Sequence, residues 1–126
     1  MSFEVGASSP LRALHRLPWG TEAERQPHEH DYRVEVVVGR DGLDDRGVVC
    51  DLDVLQAGLG DVLGRLEGKD LDQIRPPDAE GVTVELLARW LHASLADIVC
   101  RAGGQTLAIR VWEAPDAFGG YRAPVD

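Results

Sequence analysis

From His28 onward the chain alternates. His28, His30, Tyr32, Val34, Val36 and Val38 share one parity, while Glu29, Asp31, Arg33 and Glu35 share the other. A period of two puts the two sets on opposite faces of a β-strand, one apolar and one wet, as in an antiparallel sheet packed on one side only. Upstream, "SPLRALHRLP" reads as a short extended segment ended by Pro18 and Gly20, and downstream "GRDGLDDRG" has turn composition before "VVC" resumes a brief extended run. The period then changes. Asp51 caps a helix through "LDVLQAGLGDVLGRLEG", in which Leu52, Leu55, Leu59, Val62, Leu63 and Leu66 keep helical spacing until Gly68 stops it. "KDLDQIRPPDAEG" reads as a loop. Thr83 caps a second helix, "VELLARWLHASLADIVCRAGG", with Val84, Leu87, Leu91, Leu95 and Ile98 in one stripe. "QTLAIRVWEA" alternates again, and "GGYRAPV" supplies a last short strand. The order strand, strand, helix, helix, strand, strand predicts an α+β fold with the helices laid on one sheet face.

Length and charge narrow this picture. A chain of 126 residues is about one domain long. No apolar run approaches the ~20 residues that cross a bilayer, so no membrane partner is expected. The start, "MSFEVGASSPLRAL", lacks the basic beginning and continuous apolar centre of a secretory signal, which makes the cytoplasm the expected compartment. Cys50 and Cys100 stand far apart in apolar segments, match no metal-binding or disulfide pattern, and are expected to be buried thiols. The net charge of −9, with 13 scattered Lys and Arg residues, opposes a phosphate backbone and excludes nucleic acid as the expected partner. An anionic small molecule would need a local cationic pocket or a metal.

The histidines are the candidate chemistry. On a strand His28 and His30 face the same way, with Cα atoms roughly 6.5–7 Å apart, so both imidazoles can reach one ion. His15, in the first extended segment, is available as a third ligand. Three neutral imidazoles with one open position make the arrangement of a catalytic zinc site. The competing reading is that an H-x-H at a strand end is incidental, since motifs this short recur by chance. His92, on the polar face of the second helix near Glu85 and Arg89, reads as solvated.

Taken together, "ALHRLP", "HEHDY", "GVVCDLDVLQ", "LDQ", "VTVELLARWL" and "IRVWEA", in that order, resemble the 6-pyruvoyltetrahydropterin and 6-carboxytetrahydropterin synthase family over roughly residues 11–123. The resemblance implies one domain over residues 1–126 with the tunnelling fold, a four-stranded antiparallel sheet with two helices on one face. It also implies assembly into an oligomeric barrel, a homohexamer, with pockets between subunits. It makes His15, His28 and His30 the ligands of a Zn2+ ion and Glu113 the anchor of a pterin ring, whose amino group and ring N–H a carboxylate can accept as a fork. Thr83 and Glu85 fall on positions near that ring, although a helix cap and first-turn acid explain them equally well.

Two acid-base positions depart from the family pattern, and within H-x-H Glu29 and Asp31 replace its glycine and asparagine. The window before H-x-H, "EAERQP", has no cysteine, and the Leu-Asp-His motif reads Leu71-Asp72-Gln73, where an amide cannot shuttle protons. Asp72 is the remaining catalytic candidate of that motif. Some branches of the family use a glutamate in place of the cysteine, and Glu24, expected to carry a raised pKa, is the first candidate for such a base, with Glu22 second. Resemblance therefore implies a zinc-dependent lyase acting on the side chain of 7,8-dihydroneopterin or its triphosphate. The alternative is a catalytically degenerate member that binds a pterin or purine-like ring without turnover. An acidic interaction module without metal is a third, less favoured reading.

Overall fold

In the computed structural model, which describes residues 1–126, strands β1 (Phe3–His15), β2 (His28–Arg40), β3 (Thr106–Ala114) and β4 (Ala117–Pro124) form one antiparallel sheet in the order β1-β2-β3-β4. A short helix α1 (Glu22–Arg25) lies between β1 and β2, and the long helices α2 (Leu52–Gly64) and α3 (Val84–Arg101) lie between β2 and β3. The alternation read in β2 is realised: Tyr32, Val34, Val36 and Val38 are buried. Leu11 and Ala13 of β1 and Leu107, Ile109 and Val111 of β3 extend that apolar face. Against it pack Leu55, Leu59, Val62 and Leu63 of α2 and Leu87, Ala88, Leu91, Leu95 and Val99 of α3, forming one continuous core. Asp51 and Thr83 cap the long helices as their sequence positions predict: Asp53 N donates to the Asp51 carboxylate and Leu86 N to the Thr83 hydroxyl.

Several expectations are corrected. β1 is not short, because its N-terminal half, Phe3–Pro10, pairs with Arg33–Arg40 of β2. The polar composition of that half reflects an edge strand with one wet face. "VVC" is not a strand. Asp44 Oδ1 accepts from Arg46 N at 2.8 Å and Val48 N at 3.1 Å, closing a loop that delivers Val49 and Cys50 to the core as a bend. Helix α2 stops at Gly64, and the chain reverses at Gly68, whose φ of +71° is a left-handed value that suits glycine. The segment read wholly as loop contains a 3-10 turn, Leu71–Ile74.

Two side chains are also placed differently. Cys50 is buried, but Cys100 is exposed on the outer side of α3. His92 is not solvated: it is 7% exposed. Its Nε2–H donates to Ala123 O at 3.1 Å, and its ring meets Tyr121 edge-on at 5.2 Å. The reason is tertiary, because β4 returns beneath α3 and covers a face of the helix that its own sequence marks as polar.

That contact gives a test. His92→Ala leaves the Ala123 carbonyl without its donor, and the unfolding free energy should fall by about 1–3 kcal/mol. A solvated histidine would cost within about 0.5 kcal/mol. Urea unfolding monitored by circular dichroism separates the two values.

Candidate functional site

The β1–β2 register builds the site. His15 pairs with His28, Ala13 with His30 and Leu11 with Tyr32. Directly paired residues share a face, so all three imidazoles leave the core side of the sheet at its open end, just past the last apolar row. The ring centres of His15 and His28 are 5.1 Å apart, and those of His15 and His30 are 5.5 Å apart. Burial, then the proximity of the other two imidazoles, pulls the His15 pKa below its ordinary value. The uncharged ring is the form that can offer a lone pair.

The hydrogen bonding of these rings is incomplete. His28 Nδ1–H donates to Gln26 O at 3.0 Å, which orients the ring and leaves Nε2 as its lone pair. His15 Nδ1 and His30 Nδ1 are buried with no partner. Each such orphaned atom costs about 1–3 kcal/mol unless something else satisfies it. Two imidazoles on one tetrahedral zinc, with Zn–N of ~2.0–2.1 Å, have ring centres about 5 Å apart. The donor types and the spacing of His15 from His28 and from His30 therefore suit zinc. The nitrogens are not drawn together into a finished ligand cage, as no group of three or more His, Cys, Asp or Glu side chains is close enough in this structure to hold a metal ion.

The acidic candidates divide. Glu24 lies near enough for its charge to act on His15, but its carboxylate belongs to a capping box: Thr21 N donates to Glu24 Oε1 at 3.0 Å and Glu24 N to Thr21 Oγ1 at 3.3 Å. Hydrogen bonding from the Thr21 backbone N–H, then from the Thr21 side chain, holds the Glu24 carboxyl below the ordinary glutamate range, with His28 and His15 as smaller contributors. The expectation of a raised pKa is thus overturned, because α1 recruits this carboxylate as a hydrogen-bond acceptor. Glu22 is on the same turn, exposed.

Asp72 is brought to the end of β1 by backbone bonds from Gly68 N to Arg12 O and from Leu14 N to Lys69 O, both 2.8 Å. There Arg16 Nε donates to Asp72 Oδ2 at 2.6 Å. Gln73, at the position of the family histidine, turns away and donates from Nε2 to Arg65 O at 3.2 Å. Arginine thus stands as the partner of Asp72 that the motif lacks. Sequence reading missed Arg16; the available signal was its position directly after His15.

Glu113 lies at the end of β3, where pairing with β2 ends at Arg33–Trp112 and the β3–β4 register shifts between Trp112 and Ala114. Such a bulge re-aims the side chain at the strand end. Glu113 lines an open cleft of about 440 Å³ with Tyr32, Arg33, Trp112 and Pro115. Tyr32 is the other residue that sequence reading missed, although it continues the parity of His28 and His30. Burial, then the charge of Glu113, pushes its phenol well above the ordinary tyrosine value. Thr83 and Glu85 sit instead at the start of α3. The Thr83 hydroxyl is occupied as the cap, and the Glu85 carboxylate rests against Gly119 of β4.

A four-stranded antiparallel sheet with two long helices on one face and a histidine cluster at one end defines a protein of the tunnelling fold. The model of the 6-pyruvoyl tetrahydropterin synthase family matches residues 4–124, and the chain belongs to that family. Its fold is similar to 6-pyruvoyl tetrahydropterin synthase from Plasmodium falciparum, with a TM-score of 0.77 at 16% identity over 98% of this chain and 99% of the other. The Caenorhabditis elegans enzyme of the same name superposes with a TM-score of 0.71 at 20% identity, covering 98% and 96%. A variant of the Plasmodium vivax enzyme in which a catalytic glutamate is replaced by cysteine has a TM-score of 0.77 at 12% identity, covering 99% of each chain. No curated protein sequence matches the chain.

The capping box predicts a measurable titration. Glu24 should titrate below an ordinary glutamate, and in Thr21→Ala, where the hydroxyl that closes the box is gone, its pKa should move back up. Carboxyl NMR of the labelled protein reads both. The sign follows from the depressed folded-state pKa: the capping contribution is present above the unfolded value and is lost as pH falls through the folded one.

Proposed function

We propose that the protein is a zinc-dependent lyase that acts on the side chain of 7,8-dihydroneopterin or its triphosphate, in the cytoplasm, as a single domain over residues 1–126 assembled into a homohexamer. The observation that carries this reading is the gathering of His15, His28 and His30 on one sheet face, with two orphaned ring nitrogens, beside the Glu113 cleft. In this reading those three residues hold the metal and Glu113 accepts the amino group and ring N–H of the pterin as a fork. When bound, zinc supplies a Lewis acid that makes the proton of a side-chain hydroxyl or its neighbouring carbon easier to remove.

The chain's own residues then divide the remaining work. Glu24, next to the imidazoles, takes the proton, with Glu22 as the second candidate. A catalytic glutamate in the Plasmodium vivax relative supports this choice. Leaving the capping box frees the Glu24 carboxylate for that step. Asp72, paired with Arg16, holds the end of β1 behind His15 rather than relaying a proton through Gln73. Thr83 and Glu85, which do not line the Glu113 cleft within the chain, act as the cap and first-turn acid of α3. Assembly is supported by the outer edges of β1 and β4, which have no partner strand within the chain; closing a barrel removes such edges.

A second reading has its own support. Glu24 committed to a cap and Gln73 committed to Arg65 are what a family member that binds a pterin or purine-like ring without turnover would carry.

One experiment separates the two readings. The purified protein should contain about one zinc per chain by elemental analysis, convert dihydroneopterin or its triphosphate to a product of altered mass, and lose turnover on chelation. Glu24→Gln should keep the zinc and lower turnover roughly 10²–10⁴-fold. A zinc-loaded protein that binds dihydroneopterin but leaves both substrates unchanged establishes the second reading.

A further inference from the structure

Tyr32 is 4% exposed and closes the apolar row of Val34, Val36 and Val38 on β2. Its position alone would suit phenylalanine. Four observations set it apart. Its ring lies against His30 with centres 4.5 Å apart and planes tilted by 34°, and it meets His15 edge-on at 6.3 Å. On its other side it lines the cleft that holds Glu113. The β2–β3 register, continued one step past Arg33–Trp112, would set Tyr32 opposite Glu113. The phenol donates no hydrogen bond within the chain, and its oxygen is not one of the sealed polar atoms, so it is open to the cleft. A single ring thus separates the imidazole cluster from the cleft and touches both.

We propose that Tyr32 is the positioning and specificity residue that joins the two halves of the site: its ring holds the His30 and His15 imidazoles in place, and its hydroxyl donates a hydrogen bond to a planar heterocycle bound at Glu113. The chemistry of the two groups is complementary. A carboxylate accepts from the N–H edge of such a ring, and a phenol donates to the carbonyl or ring nitrogen beside that edge. A ligand with adjacent donor and acceptor positions satisfies both, and one with donors alone satisfies only Glu113. Packing a ring against a ligating imidazole restricts its rotation, as outer-shell partners of metal-bound histidines do. This inference rests on the metal and pterin reading of the preceding subsection.

The two roles separate by substitution. Tyr32→Phe keeps the ring and removes the hydroxyl, while Tyr32→Leu removes both. Cobalt(II) in place of zinc gives a visible absorption spectrum that reports on the imidazoles, and dihydroneopterin binding to the full-length protein is read by calorimetry. Tyr32→Phe should leave the cobalt spectrum and affinity unchanged and weaken dihydroneopterin about 2- to 10-fold, the worth of one hydrogen bond. Tyr32→Leu should lower cobalt affinity roughly 10- to 100-fold. Circular dichroism of the metal-free proteins checks folding, and Tyr32→Met replaces the leucine variant should that one unfold.

Dihydroneopterin binding to Tyr32→Phe with parental affinity overturns the hydroxyl role, and cobalt binding to the leucine or methionine variant with parental affinity overturns the ring role. A parental protein that takes up no cobalt overturns the metal reading itself and this inference with it. Parental cobalt binding with null effects at Tyr32 overturns this inference alone.

Discussion

The pairing of His15 with His28 across β1 and β2 is the constraint on which the site depends. Because strand side chains alternate, a slip of one residue would send His15 to the opposite face from His28 and His30. The same slip would turn Leu11 and Ala13 of β1 out of the core. Burial of the apolar face therefore specifies the register, and the register places the imidazoles. Stability and site geometry are one requirement here, met by the same row of alternating residues.

That coupling explains where polar groups are left unsatisfied. Along most of the sheet the core-facing positions are aliphatic and leave no polar side-chain atom behind. Only where the row passes beyond Ala13 and Tyr32 do buried nitrogens appear without partners, on His15 and His30. A fold that otherwise pairs its buried polar atoms has kept two of them open in one place. Such an exception costs stability and is expected where a ligand supplies the missing partner.

The departures from the family pattern are redistributed rather than vacant. Gln73 ties its turn to the end of α2, Arg16 takes Asp72, and Glu24 closes a capping box on the turn that leads into His28. Gln73 and Glu24 each make a hydrogen bond that steadies a segment bordering the imidazoles. These residues thus keep a structural role around the histidine cluster.

Local sequence determined the elements whose signal is short-range. The alternation of β2, the caps at Asp51 and Thr83 and the apolar stripe of α3 all follow from neighbouring residues, and the order of motifs carried the family and its fold. Parity alone put His28 and His30 on one side. Tertiary structure decided what depends on partners distant in sequence. It extended β1 to Phe3 along β2, buried His92 under β4, gave Asp72 to Arg16, and drew the Glu24 carboxylate into a cap that lowers its pKa. It also stood Tyr32 between His30 and Glu113. Periodicity records which face a residue occupies, whereas pKa, burial and hydrogen bonding depend on what the rest of the chain packs against that face.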